Sequence, residues 1–543
     1  MFLLNLTAPL NMIFIYDEII DVIHYFITAT FKEFFFVIVI DLILSKFSDK
    51  ISSLLKIVVI TISVMMFILD IFCLYQYHSV INHGMFEILL ATNSSESAEF
   101  IETYILTPQV LLSFIIIPII GVILYKLLLH LMDFNTLTSL IFAATLFVAA
   151  ISMTTSIPLL LKNFSSLNRI IYMSNNLFES YFEYQRIAEG VVRDVNLTRD
   201  DSNIPIFVFI LGESTNRNHM HIYGYNLPDT PNLEERKDNG ELFVFTDVVS
   251  PHSHTISALE NIFTFYRVGA DGDWFNYTNL FDILRAANYH TEWISNQEMA
   301  GVYGNIGRLY SEICDVKKFT KIRASNDDIG YSDIYYDRLL FPLFDESLAN
   351  ISTKNFYVLH LMGTHASYNK RYPNNYLRFT ESDVTGETDE IRWIRSEYDN
   401  AVLYNDYIVD ELIKRLENKN AIVIYISDHG EDVYDEWNFA GHMEVEGTRS
   451  MIEIPMMIWA SSQFKAEHPA LIKRIAESVD KPFMTDDMIH VILDIMQIET
   501  KEYDPTKSVI NPAFDESRER IYNNNIYDKE HGLTPLPIPI EEP

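Results

Sequence analysis

Ile204-Pro205-Ile206-Phe207-Val208-Phe209-Ile210-Leu211 runs straight into Gly212-Glu213-Ser214, and Ala421-Ile422-Val423-Ile424-Tyr425-Ile426-Ser427 ends in the same way in Asp428-His429-Gly430-Glu431. Both are short apolar runs rich in β-branched and aromatic residues, and both read as strands. Phe356–Leu361 and Ile454–Trp459 read likewise, while Glu397–Leu416 has the pattern of an amphipathic helix. Strands alternating with helices predict an α/β domain with a largely parallel sheet covered by helices. In such sheets ligands gather beyond the carboxyl ends of the strands, which is where Glu213 and Asp428-His429 fall.

A carboxylate from one strand end and an Asp-His pair from another supply the oxygen and nitrogen ligands that zinc accepts. A third polar cluster, Ser250-Pro251-His252-Ser253-His254-Thr255, leads into Ile256-Ser257-Ala258-Leu259-Glu260, where Ser257 and Glu260 have capping-box spacing. Thr255 is therefore expected at or just before a helix N-terminus, whose dipole and exposed amides favour negative charge. A Thr hydroxyl needs a metal or a base to become a nucleophile. Without such neighbours Thr255 reads as a plain helix cap, and Asp-His as an ordinary dipeptide.

Outside this region the chain changes character. Of 543 residues, 49% are hydrophobic, and they crowd into the first 160 positions. Phe2–Tyr16, Phe34–Phe47, Ile57–Leu74, Val110–Leu129 and Leu137–Leu161 predict about five membrane spans, the first one short. Lys46 lies at the end of the second run with Lys50 and Lys56 after it, and Lys126 lies near the end of the fourth, whereas His78–Thr107 holds four Glu and no Lys or Arg. The positive-inside rule then puts the Lys46–Lys56 loop in the cytoplasm and everything after residue 160 outside. The organisation expected is a membrane anchor over 1–161, interfacial or linker helices over 162–202, an exported catalytic domain over 203–528 and a disordered Pro-rich tail over 529–543.

Residues 1–160 carry 5 Lys and Arg against 12 Asp and Glu, which leaves 35 basic and 62 acidic side chains for the rest, near −27. So acidic a surface repels phosphate backbones and argues against a nucleic-acid partner. The two cysteines, Cys73 and Cys314, are poorly placed to pair, and no disulfide framework is expected.

Gly212-Glu213-Ser214-Thr215-Asn216-Arg217-Asn218-His219, Tyr223-Gly224-Tyr225 and Thr230-Pro231-Asn232-Leu233 together resemble the opening motif of the phosphoethanolamine transferases, membrane-anchored members of the alkaline phosphatase and sulfatase superfamily. Ser250–Thr255 is similar to that family's nucleophile segment, His360-Leu361-Met362-Gly363-Thr364-His365 to its substrate-histidine segment, Tyr398-Asp399-Asn400 with Tyr404 to the helix that follows, and Ser427–Glu431 through Gly441-His442 to its metal segment. The resemblance implies an α-helical membrane domain of about five spans joined to an alkaline-phosphatase/sulfatase-like α/β catalytic domain. It implies a bacterial inner-membrane protein with its catalytic domain in the periplasm, acting as a monomer.

By the same resemblance Glu213, Thr255, Asp428 and His429 bind Zn2+, with a second zinc as an option, and His365 and His442 contact the phosphoryl group or that second ion. Thr255 attacks phosphatidylethanolamine, and the group passes to an envelope acceptor. Asn296, Gln297 and His254 are candidate substrate contacts. Family members that modify lipid A carry cysteines where Pro251 and Asn261 stand here, and a Lys-containing loop where this chain has Ser295-Asn296-Gln297-Glu298. These departures favour a lipopolysaccharide-core or periplasmic-glucan acceptor. Two other readings stay open: a phosphoglycerol transferase of the lipoteichoic acid synthase type, and a sulfatase-fold membrane receptor without catalysis.

Overall fold

The structure, a computed structural model, describes residues 43–44, 46–77, 193–298, 306–321, 336–444, 447–522 and 525–531. The chain divides into two compact units, Met1–Leu90 with Glu96–Glu183, and Ala91–Ser95 with Tyr184–Pro543.

In the first unit helix α1 spans Asp49–Tyr77. Its stretch Asp49–Asp70 is 22 residues long with a mean hydropathy of 2.3, enough at about 1.5 Å per residue to cross a bilayer core. Among the described residues it is the one helix that is long and apolar enough to do so. The loop expected at Lys46–Lys56 is largely helical instead, with Lys50 and Lys56 in the first turns of α1. Asp49 in the first turn complements the positive end of the helix dipole, and lysine stems can lie along an apolar helix while their charges reach water. The runs Phe2–Tyr16, Val110–Leu129 and Leu137–Leu161, most of Phe34–Phe47, and residues 162–192 lie outside the described residues.

The second unit is built on a sheet whose seven described strands are β1 (Ile206–Gly212), β2 (Leu242–Phe245), β3 (His290–Glu298), β4 (Val316–Lys321), β5 (Asn355–His360), β6 (Ala421–Ser427) and β7 (Met456–Ala460), in the spatial order β2-β7-β6-β1-β5-β3-β4. β4, β3, β5, β1 and β6 run parallel, and β7 is antiparallel to both β6 and β2. Central strands buried on both faces read as continuous apolar runs, and every residue of β1, β5 and β6 is buried.

The pleat then sorts the side chains. Phe207, Phe209 and Leu211 face one core, shared with helices α2 (Thr255–Ile262) and α4 (Met488–Met496). Ile206, Val208 and Ile210 face the other core, shared with α3 (Asp389–Lys414). Burial of each large apolar side chain contributes about 1.5–3 kcal/mol, so the registers of β1 with β5 and β6 are strongly set: a one-residue slip would exchange the two faces.

Two expectations are corrected at the borders of this unit. Part of the linker expected to be helical forms a strand, Leu197–Asp200, paired antiparallel with Ile498–Thr500. Of the tail expected to be disordered over 529–543, the first three residues belong instead to a helical turn, Tyr527–His531, beside which Arg520 bridges Asp247 and Asp528 and Tyr527 donates to Glu453. Residues 532–543 lie outside the described residues.

Candidate metal centre and active site

In the registers of β1 with its two neighbours, Gly212 lies opposite Ser427 and Leu211 opposite His360. The next residues of all three strands, Glu213, Asp428 and Leu361, therefore emerge at one sheet edge. Ser214 adopts a left-handed conformation (φ 57°) and turns the chain sharply after Glu213. Gly363 (φ 53°) packs against the Glu213 backbone so closely that a Cβ there would lie 2.6 Å from the Glu213 carbonyl oxygen.

Glu213, Asp428 and His429 are buried, and their ligand atoms lie within 4.8 Å of one another. His429 Nε2 is 3.2 Å from Glu213 Oε1 and 3.6 Å from Asp428 Oδ2. Thr255 completes the cluster, with Oγ1 donating to Glu213 at 3.1 and 3.2 Å and standing 3.4 Å from His429 Nε2. It is the first residue of α2, as expected, but the cap differs. His254, not a Ser257–Glu260 box, is the N-cap, and its ring accepts from the Ser257 amide. Burial drives the His254 imidazole down to about 4, leaving it neutral and able to accept. The first amides of α2 have no acceptor within the helix itself.

The cluster fits a divalent cation on its own chemistry. Asp428 Oδ1 accepts from the amides of Ser214 and His429, while Oδ2 is buried and has no hydrogen-bond partner among the described residues. Burial and the adjacent Glu213 charge push the Asp428 carboxyl up to about 8. A buried acceptor of this kind is costly unless a cation satisfies it. His429 donates from Nδ1 to the Gly430 carbonyl at 2.7 Å, which turns Nε2 toward the carboxylates, the usual way an outer hydrogen bond orients a metal-binding imidazole.

His442 and His365 stand alongside, the His442 ring 4.2 Å from that of His429 and 6.2 Å from that of His365. Burial lowers the His365 imidazole to about 3, so it is neutral, and its Nδ1 has no hydrogen-bond partner among the described residues. His442 donates from Nδ1 to Glu431 at 2.6 Å, and Tyr368 donates to the other oxygen of Glu431 at 2.7 Å. His429, Glu431 and His442 form a second group with metal-ligand spacing, although both Glu431 oxygens are occupied in orienting side chains. The sequence motifs give neither Glu431 nor Tyr368 a role of its own. Adjacency of Glu431 to Asp428-His429 was the one signal available for it.

The three candidate substrate contacts separate. His254 serves as the cap just described. Asn296 is fully buried, donating to Asp337 at 2.8 Å and accepting from Thr320 at 2.7 Å. Gln297 reaches the cluster, donating to Glu213 Oε2 at 3.0 Å. The signature residues Arg217, His219 and Tyr225 point away from it. His219 is held between Asp399 and Asp435, Tyr225 donates to Asp399, and Arg217 lies beside Glu453.

A sheet of this topology, with a helix-capped Thr beside a strand-end Glu and Asp-His pair, can be compared with known proteins. Residues 205–498, more than half of the chain, match the sulfatase family. The chain belongs to that family.

Among proteins similar to this sulfatase-family chain is phosphoethanolamine transferase EptC of Escherichia coli, 33% identical over 337 residues, which span 60% of this chain and 57% of that protein. The chain thus matches little more than half the length of that relative. The C-terminal periplasmic domain of E. coli EptC, solved in complex with Zn, superposes with a TM-score of 0.57 at 31% identity and covers 62% of this chain and 96% of that domain. The integral membrane protein lipooligosaccharide phosphoethanolamine transferase A from Neisseria meningitidis has the same fold, with a TM-score of 0.64 at 21% identity over 93% of this chain and 95% of its own.

Proposed function

We propose that this sulfatase-family chain is a zinc-dependent phosphoethanolamine transferase that moves the group from phosphatidylethanolamine to a lipopolysaccharide or other envelope-glycan acceptor. The observation that carries the reading is Thr255: its hydroxyl heads a helix and sits within 3.4 Å of both Glu213 and His429. Glu213, Thr255, Asp428 and His429 would hold one zinc, and His365 and His442 would meet the phosphoryl group. Zinc, when bound there, supplies the positive charge that lowers the pKa of a neighbouring hydroxyl.

The residues of the chain do the rest. The Oγ1–P bond forms as the P–O bond to diacylglycerol breaks, and the proton lost by Thr255 ends on the diacylglycerol oxygen. A protonated acceptor oxygen, of a hydroxyl or a phosphate, then bonds to phosphorus as the P–Oγ1 bond breaks, and the acceptor's own proton passes to Thr255 Oγ1. His365 is neutral and His442 is aimed by Glu431, so both are placed to donate to phosphate oxygens, and the amides heading α2 add dipoles fixed before the reaction begins.

A lipid donor also gives the anchor its reason, since a catalytic unit held at the outer leaflet meets its substrate in two dimensions. Inner-membrane placement with about five spans, one of them along α1, and a periplasmic catalytic unit complete the reading. It draws support from the fold likeness to an integral membrane protein and from the relatives' names.

The test is transfer from headgroup-labelled phosphatidylethanolamine by the full chain in vesicles, with labelled phosphatidylglycerol in parallel. The expected result is label from the former only, and a covalent phosphoethanolamine adduct on Thr255 when acceptor is withheld. Thr255→Ala should lower transfer by on the order of 10³-fold or more. Full transfer by that variant would exclude the covalent route.

A further inference from the structure

Each of the two oxygens of Glu213 is held by an uncharged donor that is not itself a proposed metal ligand. Ser214 Oγ donates to Oε1 at 3.0 Å, and Gln297 Nε2 donates to Oε2 at 3.0 Å. Both donors are buried, Ser214 at 0% and Gln297 at 6% exposure. Each is also fixed in place. The Ser214 carbonyl accepts from Thr364 and Tyr398, both at 2.8 Å, and its amide donates to Asp428 Oδ1. The Gln297 amide nitrogen is shared with the Leu361 carbonyl at 3.3 Å, and its backbone N–H donates to Ser295 Oγ at 3.0 Å.

We infer that Ser214 and Gln297 are positioning residues that clamp the Glu213 carboxylate for its cation, and that Gln297 acts through Glu213 rather than on the substrate headgroup. This inference rests on the zinc reading above. A carboxylate on a flexible stem can rotate, and a rotated Glu213 would face Asp428 without offering its lone pairs to the same ion. One donor on each oxygen removes that freedom while leaving the remaining lone pairs directed at His429 and Thr255. Ser214 does more, since it holds Glu213 through its hydroxyl and Asp428 through its amide. It therefore sets the spacing of two ligands that are far apart in the chain. Its left-handed backbone (φ 57°) is what brings both groups to bear, a strained conformation of the kind that accumulates at functional sites.

The inference makes a prediction that a headgroup contact would not. The full-length protein is titrated with zinc against a competing chelator, and transfer kinetics are followed against phosphatidylethanolamine at several free-zinc concentrations. Gln297→Met keeps the length and burial of the side chain without its donors, and Ser214→Ala removes one hydroxyl. Each should weaken zinc binding by about 10- to 100-fold, the range seen when the outer partners of metal ligands are removed. Transfer should recover toward the wild-type rate as zinc is raised, with the KM for lipid unchanged. Gln297→Glu, which sets a second carboxylate against Glu213, should lose more affinity than Gln297→Met. A Gln297→Met protein with wild-type zinc affinity and a raised lipid KM would overturn the inference in favour of headgroup binding. Unchanged affinity and kinetics in both variants would overturn it outright. A wild-type protein that takes up no zinc would instead sink the metal reading beneath it.

Discussion

Gly363 shows how little tolerance the centre has. A methyl group there would meet the Glu213 carbonyl at 2.6 Å and its amide at 2.8 Å, at a φ of 53°, and backbone cannot swing aside as a side-chain tip can. Gly363→Ala is expected to cost on the order of 1–2 kcal/mol from the left-handed conformation alone and to displace Glu213, so zinc content measured by atomic absorption should fall. Glu431→Ala removes the carboxylate that aims His442 and should lower transfer by about 10- to 100-fold while the buried site keeps its zinc; loss of that zinc would make Glu431 a ligand instead. At this scale the sequence was legible where chemistry and local position coincide. Glu213 and Asp428-His429 stand out because an apolar strand ends at each, and Thr255 because an amphipathic turn begins there. The His254 cap was hidden because an imidazole accepts an amide hydrogen bond only when neutral, which burial brings about. Gln297 was hidden because its partner is 84 residues away, and nothing in Ser295–Glu298 announces a carboxylate opposite.

Helix α3 carries the clearest case of a motif whose purpose is structural. His219, Tyr225 and Asn216 converge on Asp399 and Tyr398, so the signature loop after β1 is bolted to this helix and holds Ser214 in place from behind. Burial opposes charge on His219, yet the Asp435 and Asp399 carboxylates on either side raise it from 6.5 to about 10. A group raised on folding adds stability that is complete below its unfolded pKa and is lost as pH climbs through the folded one. Thermal unfolding of the wild type should therefore show a midpoint that falls between about pH 6.5 and about 10, and His219→Gln should be less stable at neutral pH with a flatter profile. Parallel curves for the two proteins would show that the ion pairs contribute nothing. Helix α3 was expected from Glu397 but starts at Asp389 behind a Thr388 cap; the added turns hold Ile391, Trp393 and Ile394 among charged residues and are partly exposed, so their apolar stripe is weaker than the one that follows. The Ile454–Trp459 run was recognised as a strand, but its antiparallel direction depends on β2, whose four residues were too short to stand out.

Across the whole molecule, charge and hydropathy divided the chain legibly into an apolar first portion and an acidic remainder, while the number of spans could be read only as expectation. With 62 acidic against 35 basic residues after position 160, the sulfatase-family unit should be repelled by anionic lipid headgroups. Raising the phosphatidylglycerol fraction of vesicles at constant phosphatidylethanolamine is expected to slow transfer at low ionic strength, and added salt should restore the rate because it screens the repulsion. A rate indifferent to both would mean that the active face is shielded from the net charge. The residues that meet at the centre are also spread out in time: 214 residues separate Ser214 from Asp428, and 174 separate Thr255 from His429. During synthesis Glu213 and Thr255 emerge long before their partners, and β1 cannot be sandwiched until β5 and β6 have been made. Metal capture thus becomes a report that the fold is complete. A chain cut short before Asp428 would leave the ribosome without two of the four residues proposed to hold the cation, so premature termination would yield an inert product.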